Sequence, residues 1–388
     1  MRTVDLFCGC GGMSLGFQYA GCNIVAAFEN WPSAVQCYQA NFKHPIYRQD
    51  LSCVAEVSEI IKGFSPDLII GGPPCQDFSN AGKRTEGERA ELTYSFAQIV
   101  TNVKPKYFVM ENVVRAIESS VYQKTKSLFI SAGYGLSEII LDASFCGVPQ
   151  KRRRFFCIGA INTPNGFLDK LVYPQQSILP MSVREYYRIQ GYDLPFEYYY
   201  RHPRSYKRRG IFEVDIPAPT IRGVNRPKPP EYKKHENDPV DPTNIRAMTT
   251  RERARIQTFP DSFVLPQNTA NAEQMIGNAV PVQLAKFVAT ALISFHSGKA
   301  PNPGTPFIDW LKQSNNFTSR AAGDIVSRIN RANKILPIDG RPAEAYIPLL
   351  EANPVFSRIK PTVQSQIKRA IRLYCEYLAL SKKDKTNC

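Results

Sequence analysis

The stretch Asp5-Leu6-Phe7-Cys8-Gly9-Cys10-Gly11-Gly12 closes an apolar run at 3–7 and opens a helical pattern from about Ser14. A strand that ends in closely spaced glycines and turns into a helix lets its backbone pass close to a bound nucleotide. A dinucleotide fingerprint would set a third glycine where Ser14 stands. The turn therefore fits an adenosyl cofactor, which has no pyrophosphate, better than a nicotinamide.

Outward from this turn, short apolar runs alternate with helical patterns as far as residue 161. Strands are expected at 3–7, 24–28, 68–70, 107–110 and 154–160, with helices around 94–102 and 121–132. That alternation predicts an α/β fold with a doubly wound, mostly parallel sheet. Ligands of such sheets gather at the carboxyl ends of the strands. Residues 5–12, Glu29, Asp50, 71–75 and Glu111 all fall at or just past an expected strand end, so one shared site is predicted.

From Asn162 the texture changes. Prolines, tyrosines and arginines accumulate to about residue 248, and Pro217, Pro219, Pro227, Pro229 and Pro230 preclude long helices. The expected domains are 1–161, an irregular strand-and-loop domain at 162–248, a return to the first domain at 249–299, and a helical extension at 300–388. A helix should start at Thr249, where Glu252 completes a capping box, and another after Pro281. The proline- and glycine-rich run at 298–306 reads as a linker. Ile325, Ile329 and Ala332, then Val363, Ile367 and Ile371, recur at helical spacing in the extension.

The chain carries 49 lysines and arginines against 34 acidic residues, a formal net charge of +15, which favours a polyanionic partner. Arg201, Arg204, Lys207, Arg208 and Arg209 crowd beside Tyr198, Tyr199, Tyr200 and Tyr206, joining phosphate-binding charge to stacking surface. Ten scattered cysteines without a Cys-x-x-Cys pair, and four isolated histidines, predict reduced thiols and no metal. The early strand predicts no signal peptide and the short apolar runs no membrane, hence a cytoplasmic location.

Three further features carry chemistry. Gly71-Gly72-Pro73-Pro74 frames Cys75 rigidly at a strand end, followed by a polar segment from Gln76 through Ser79 and Lys83 to about Leu92 that reads as a lid. Glu111 ends an apolar strand, where a carboxylate needs a partner. Gln150, Arg152 and Arg154 are expected on one face of an entering strand, where they would orient a base or phosphate.

Taken in order, these motifs resemble the DNA cytosine-5 methyltransferases of bacterial restriction-modification systems. The resemblance covers about residues 1–299 and adds Arg251-Glu252, Arg255-Ile256-Gln257-Thr258-Phe259-Pro260, Pro217-Ala218-Pro219-Thr220-Ile221 and Gly277-Asn278-Ala279-Val280-Pro281. It implies S-adenosylmethionine as cofactor, S-adenosylhomocysteine as product, and contacts from Phe7, Gly9, Cys10, Gly11, Glu29, Asn30, Trp31, Asp50, Leu51, Pro73, Leu92, Asn278 and Val280. Either Asn30 or Trp31 would lie against the adenine. Cys75 would be the nucleophile, with Glu111, Arg152 and Arg154 around the target cytosine. The irregular domain would recognise duplex DNA, with Gln76, Ser79, Lys83, Gln150, Arg204, Lys207, Arg208 and Arg209 as DNA contacts. A monomer acting on the same site as a cognate endonuclease is implied. The competing readings are an RNA cytosine-5 methyltransferase, a nicotinamide-dependent oxidoreductase and a non-catalytic DNA-binding relative.

Overall fold

β1 (Arg2–Leu6) is the centre from which the sheet grows in both directions. The chain moves outward through α1 (Gly12–Tyr19), β2 (Asn23–Glu29), α2 (Pro32–Asn41), β3 (Ile46–Arg48) and α3 (Val54–Lys62). It then crosses back to the other side of β1 with β4 (Leu68–Gly71), α4 (Glu88–Val103) and β5 (Tyr107–Asn112). After α5 (Ser120–Ser131) come β6 (Tyr134–Asp142), the short β7 (Gln150–Lys151) and β8 (Arg153–Ile161). The seven-stranded order is β3-β2-β1-β4-β5-β8-β6, with only β8 antiparallel to its neighbours. This computed structural model describes residues 1–74, 88–205, 207–298, 307–315, 317–338 and 341–386. Cys75, Gln76, Ser79, Lys83 and most of the expected linker lie outside these residues.

The central strands are apolar on both faces because helices cover both. One face carries Ile70, Val109, Phe156 and Ile158 in a cluster completed by Leu284, Val288 and Leu292 of α10 (Val282–Ser297). The other carries Val4, Phe28, Ile69, Phe108 and Phe155 against Phe96 and Phe129. The stretch 269–297 has the length and hydropathy of a membrane span. Its apolar side chains instead fill the core, mainly on α10, which closes over α1. β6 is absent from the sequence reading. Gly135 and Ser137 interrupt its apolar alternation, and pairing with β8 is what makes it a strand.

Residues 162–248 contain more helix than expected. Besides α6 (Asp169–Val172), they hold α7 (Val183–Gln190), which Ser182 caps by accepting from the Glu185 amide. β9 (Tyr198–Tyr200) and β10 (Ile211–Glu213) form a hairpin, and β11 (Ala218–Pro219) runs parallel to β7. The chain re-enters through α8 (Thr250–Ile256), where the expected Thr249–Glu252 capping box is present, and α9 (Thr269–Asn278). Val183, Tyr187, Phe212 and Ile221 share one apolar cluster with Tyr38, Phe259 and Ile276, so this region packs directly on the sheet domain.

The extension is helical: α11 (Phe307–Asn315), α12 (Ser319–Ile335), α13 (Ala343–Glu351), α14 (Pro354–Ser357) and α15 (Pro361–Thr386). Ile325, Ile329, Ile367 and Ile371 are buried as their spacing predicts. Ile178 and Leu179 reach from the preceding region into its Phe307–Trp310–Leu311 cluster.

Candidate active site

The chain reverses its outward progression between β1 and β4, and such a switch point leaves a crevice beyond the strand ends. A cavity of about 310 Å³ opens there, lined by Phe7, Glu29, Asn30, Trp31, Gln49, Asp50, Leu51, Pro74 and Leu92. Seven of these residues were expected from the sequence, drawn from the ends of β1, β2 and β3 and from α4. Phe7 adopts φ 56°, an unusual conformation for a residue with a side chain, as the chain leaves β1 for the glycine turn. Gly11, at φ 97°, could not carry a side chain at all, since a Cβ there would lie 2.3 Å from the Phe42 ring.

Glu29 ties the turn together. Its Oε2 accepts from the Gly9 amide and its Oε1 from the Asn30 and Trp31 amides, each at 2.9 Å. Asp50 accepts from the Ser52 amide at 2.9 Å, bending the chain toward α3 with its carboxylate at the cavity rim. Under the turn runs a buried chain of polar groups. Ser14 donates to Asp5 at 2.6 Å and shares a 2.6 Å hydrogen bond with Tyr38, whose hydroxyl meets His44 at 2.7 Å. Burial pushes the Asp5 carboxyl up to about 7, against the opposing effect of the Ser14 hydrogen bond. The residue that breaks the dinucleotide fingerprint is thus the one that partners this carboxyl.

Beside the cavity, Glu111 at the end of β5 accepts from Arg154 Nε at 2.9 Å. Its Oε2 lies 3.3 Å from where a Cβ on Gly72 would stand. The adjacent Asn112 side-chain amide donates to the Pro73 carbonyl at 3.5 Å. The carboxylate, the guanidinium and the Gly72-Pro73-Pro74 approach therefore meet at one place. Burial raises the Glu111 pKa, and the charges of Arg154 and then Arg152 oppose that rise.

The other expected residues take varied places. Gln150, Arg152 and Arg154 lie on one side of the chain, and Arg154 is the one that pairs with Glu111. Gln150 is fully buried, donates to Gln257 at 2.7 Å and accepts from the Ile221 amide at 2.8 Å. Arg152 is 2% exposed and donates to the carbonyls of Ile221, Gly277 and Ala279 at 3.0–3.1 Å. Although the strand breaks between β7 and β8, burial still alternates across 150–154, with Gln150, Arg152 and Arg154 inward and Lys151 and Arg153 exposed. Arg209 pairs with Glu213 at 3.6 Å and lies over the Phe212 ring, whereas Arg204, Lys207 and Arg208 are exposed. Cys10 is buried against the Met275 carbonyl, and Val280 is buried too. Gly9, Gly11, Pro73 and exposed Asn278 are not among the residues that line the cavity. Gln49 and Pro74 line it without having been expected, and each adjoins a residue that the sequence pointed to. A larger cavity of about 770 Å³, between the Tyr173–Ile178 segment and the extension, contains none of the expected site residues.

An open α/β sheet with a nucleoside-sized cavity at its switch point, beside a carboxylate–guanidinium pair, defines a nucleotide-cofactor enzyme fold. Residues 1–177 and 209–294 match the C-5 cytosine-specific DNA methylases, and the chain belongs to that family. It is a DNA (cytosine-5) methyltransferase. The type II methyltransferase M.HindV of Haemophilus influenzae is 56% identical over 298 residues, covering 76% of this chain and 97% of that protein. M.HgiDI of Herpetosiphon aurantiacus, also a type II methyltransferase, is 51% identical over 296 residues, 76% and 95% of the two chains. Among solved structures, S. pombe Dnmt2 methyltransferase superposes with a TM-score of 0.55 at 19% identity over 76% of this chain and 98% of its own. The Entamoeba histolytica methyltransferase EhMeth gives 0.53 at 18% over 76% and 97%. At such identities these two structures speak for the fold alone. The matched region stops short of the helical extension.

Proposed function

We propose that the protein transfers a methyl group from S-adenosylmethionine to carbon 5 of a flipped-out cytosine in a specific duplex sequence, through a covalent Cys75 adduct. It would serve as the protective methylase of a restriction-modification system, acting as a cytoplasmic, nucleoid-associated monomer alongside a cognate endonuclease. The observation that carries this reading is the Glu111–Arg154 pair set against Gly72 and Pro73, immediately beside the cavity at the switch point.

The cavity suits the cofactor. Aromatic and apolar walls from Phe7, Trp31, Leu51 and Leu92 stand between two carboxylates, Glu29 and Asp50, an acceptor set for a nucleoside that donates from two ribose hydroxyls and an adenine amine. When bound, S-adenosylmethionine supplies an electrophilic methyl group. Cytosine carbon 5 is too weakly nucleophilic to accept it unaided. In this reading the Cys75 thiolate adds to carbon 6, and the displaced electron pair makes carbon 5 nucleophilic. Glu111 holds the ring nitrogen and exocyclic amine, and Arg154 the carbonyl oxygen, where charge develops. Loss of the carbon 5 proton then returns an electron pair to the ring and expels the thiolate. A stacked base exposes neither face, so the reaction requires flipping.

Bisulfite sequencing of DNA from cells expressing the protein should reveal methylated cytosines in one sequence context, and Cys75→Ser should abolish them. Wild-type protein should also trap covalently on duplexes containing 5-fluorocytosine. Methylation of tRNA in place of DNA would establish the RNA reading instead.

A further inference from the structure

Where the irregular region joins the sheet domain, positive charge concentrates without acidic neutralisation. Arg201 donates to the Thr220 carbonyl at 2.9 Å, and Arg222 donates to the His202 carbonyl. Arg204 and Arg226 stand exposed beside them. The two hydrogen bonds cross between the segments 201–204 and 220–226 and bring their four arginines together, and the charges of Arg204 and Arg253 bear on both Arg201 and Arg222. Among the described residues, none of the four has a carboxylate within ion-pair distance. The neighbouring acid Glu273 is committed to Arg253 at 2.5 Å and accepts from Thr250 at 2.8 Å. Burial and mutual repulsion together hold Arg201 down to about 10.

The cluster is also firmly mounted. Arg253 donates to the Arg222 carbonyl, and Arg152 donates to those of Ile221 and Gly277. Gly277 packs so closely that a Cβ there would lie 2.2 Å from the Gly223 nitrogen. Four like charges held together on a rigid junction destabilise the free protein and are relieved by an anion. Guanidinium forks match the oxygens of a phosphodiester.

We propose that Arg201, Arg204, Arg222 and Arg226 form a phosphate clamp that seats the DNA backbone at this junction. The exposed run Lys207-Arg208 is thereby secondary to the clamp in anchoring the duplex. This inference rests on the reading of the protein as a duplex-DNA methylase and adds the residues that position its substrate.

The test is a salt titration of duplex binding for Arg204→Ala/Arg226→Ala, two exposed positions whose removal spares the backbone ties of Arg201 and Arg222. Each phosphate left without its guanidinium should reduce the magnitude of the log–log slope by about 0.9, while the matching double lysine variant restores most of it. Neutral methylphosphonates placed singly along the duplex should weaken wild-type binding at one or two positions and leave the alanine variant indifferent there. Lys207→Ala/Arg208→Ala should reduce the slope less. If wild type binds and methylates DNA while the alanine variant keeps the wild-type slope, the clamp is overturned and the proposed activity stands. Wild-type protein that neither binds nor methylates any duplex would overturn both.

Discussion

At Glu111 burial and charge pull in opposite directions. Burial favours the neutral acid, and the Arg154 guanidinium 2.9 Å away favours the carboxylate. Glu111→Gln keeps the shape and removes the charge, so methyl transfer should fall by about 100-fold or more, with cofactor affinity nearly unchanged; single-turnover kinetics and calorimetry separate the two. Glu29→Ala should act in the opposite sense, weakening S-adenosylmethionine binding by roughly 1.5–3 kcal/mol. Because Glu29 also accepts three backbone amides, part of that loss will come from a loosened turn. Asp5 offers a pH test. Its folded-state pKa of about 7 lies above the ordinary 3.8, so its contribution to stability is full below pH 4 and is lost as pH rises toward 7. Asp5→Asn abolishes that slope. The stability difference between variant and wild type should shift in favour of the variant by up to about 1.4 kcal/mol per pH unit across this window. Denaturant unfolding at pH 5 and pH 7.5 checks it, and an equal difference at both would place Asp5 in an ordinary ionised state.

Among the elements, the break between β7 and β8 has the largest consequence. Gln150, Arg152 and Arg154 stay on one side across it, with Lys151 and Arg153 exposed on the other. Because β7 pairs with β11 and β8 with β5 and β6, Arg152 becomes the tie between the irregular region and the segment before α10. Arg152→Met should therefore cost about 2–4 kcal/mol of stability, since three carbonyls lose a charged donor inside the protein. Because the Arg152 charge also opposes the rise of the Glu111 pKa, activity per folded molecule should fall as well, as denaturant curves alongside kinetics would reveal. The alternation of strands and helices through residue 161 was legible because each strand is apolar and each turn carries its own glycine or proline signal. β6 and α7 were not, because their apolar patterns acquire a direction only from the surfaces they meet.

For the molecule as a whole, the extension sits outside the family match and has its own apolar clusters, touching the rest through Ile178 and Leu179. Truncation after Gly298 should leave site-specific DNA methylation intact while exposing those two side chains. The truncated protein should methylate the same sites at a similar rate, with a lower solubility limit on concentration. Loss of methylation by a truncated chain that remains folded would give the extension a part in the reaction.

Local pattern determined the glycine turn, the acids at the strand ends, the Thr249 capping box and the amphipathic helices of the extension, because each depends on neighbours a few residues away. The sequence order also sufficed for the family, whose motifs are contiguous. Only the tertiary structure decided which polar residues face the cavity and which hold the fold. Arg152 and Arg154 are two positions apart in one basic run, yet one is enclosed by carbonyls and the other pairs with Glu111. Arg201 and Arg204 lie on one segment and Arg222 and Arg226 on another, and no sequence spacing joins the two pairs. Charge summed along a chain is a property of composition, whereas charge left without a counterion is a property of distances, and distances are set by packing.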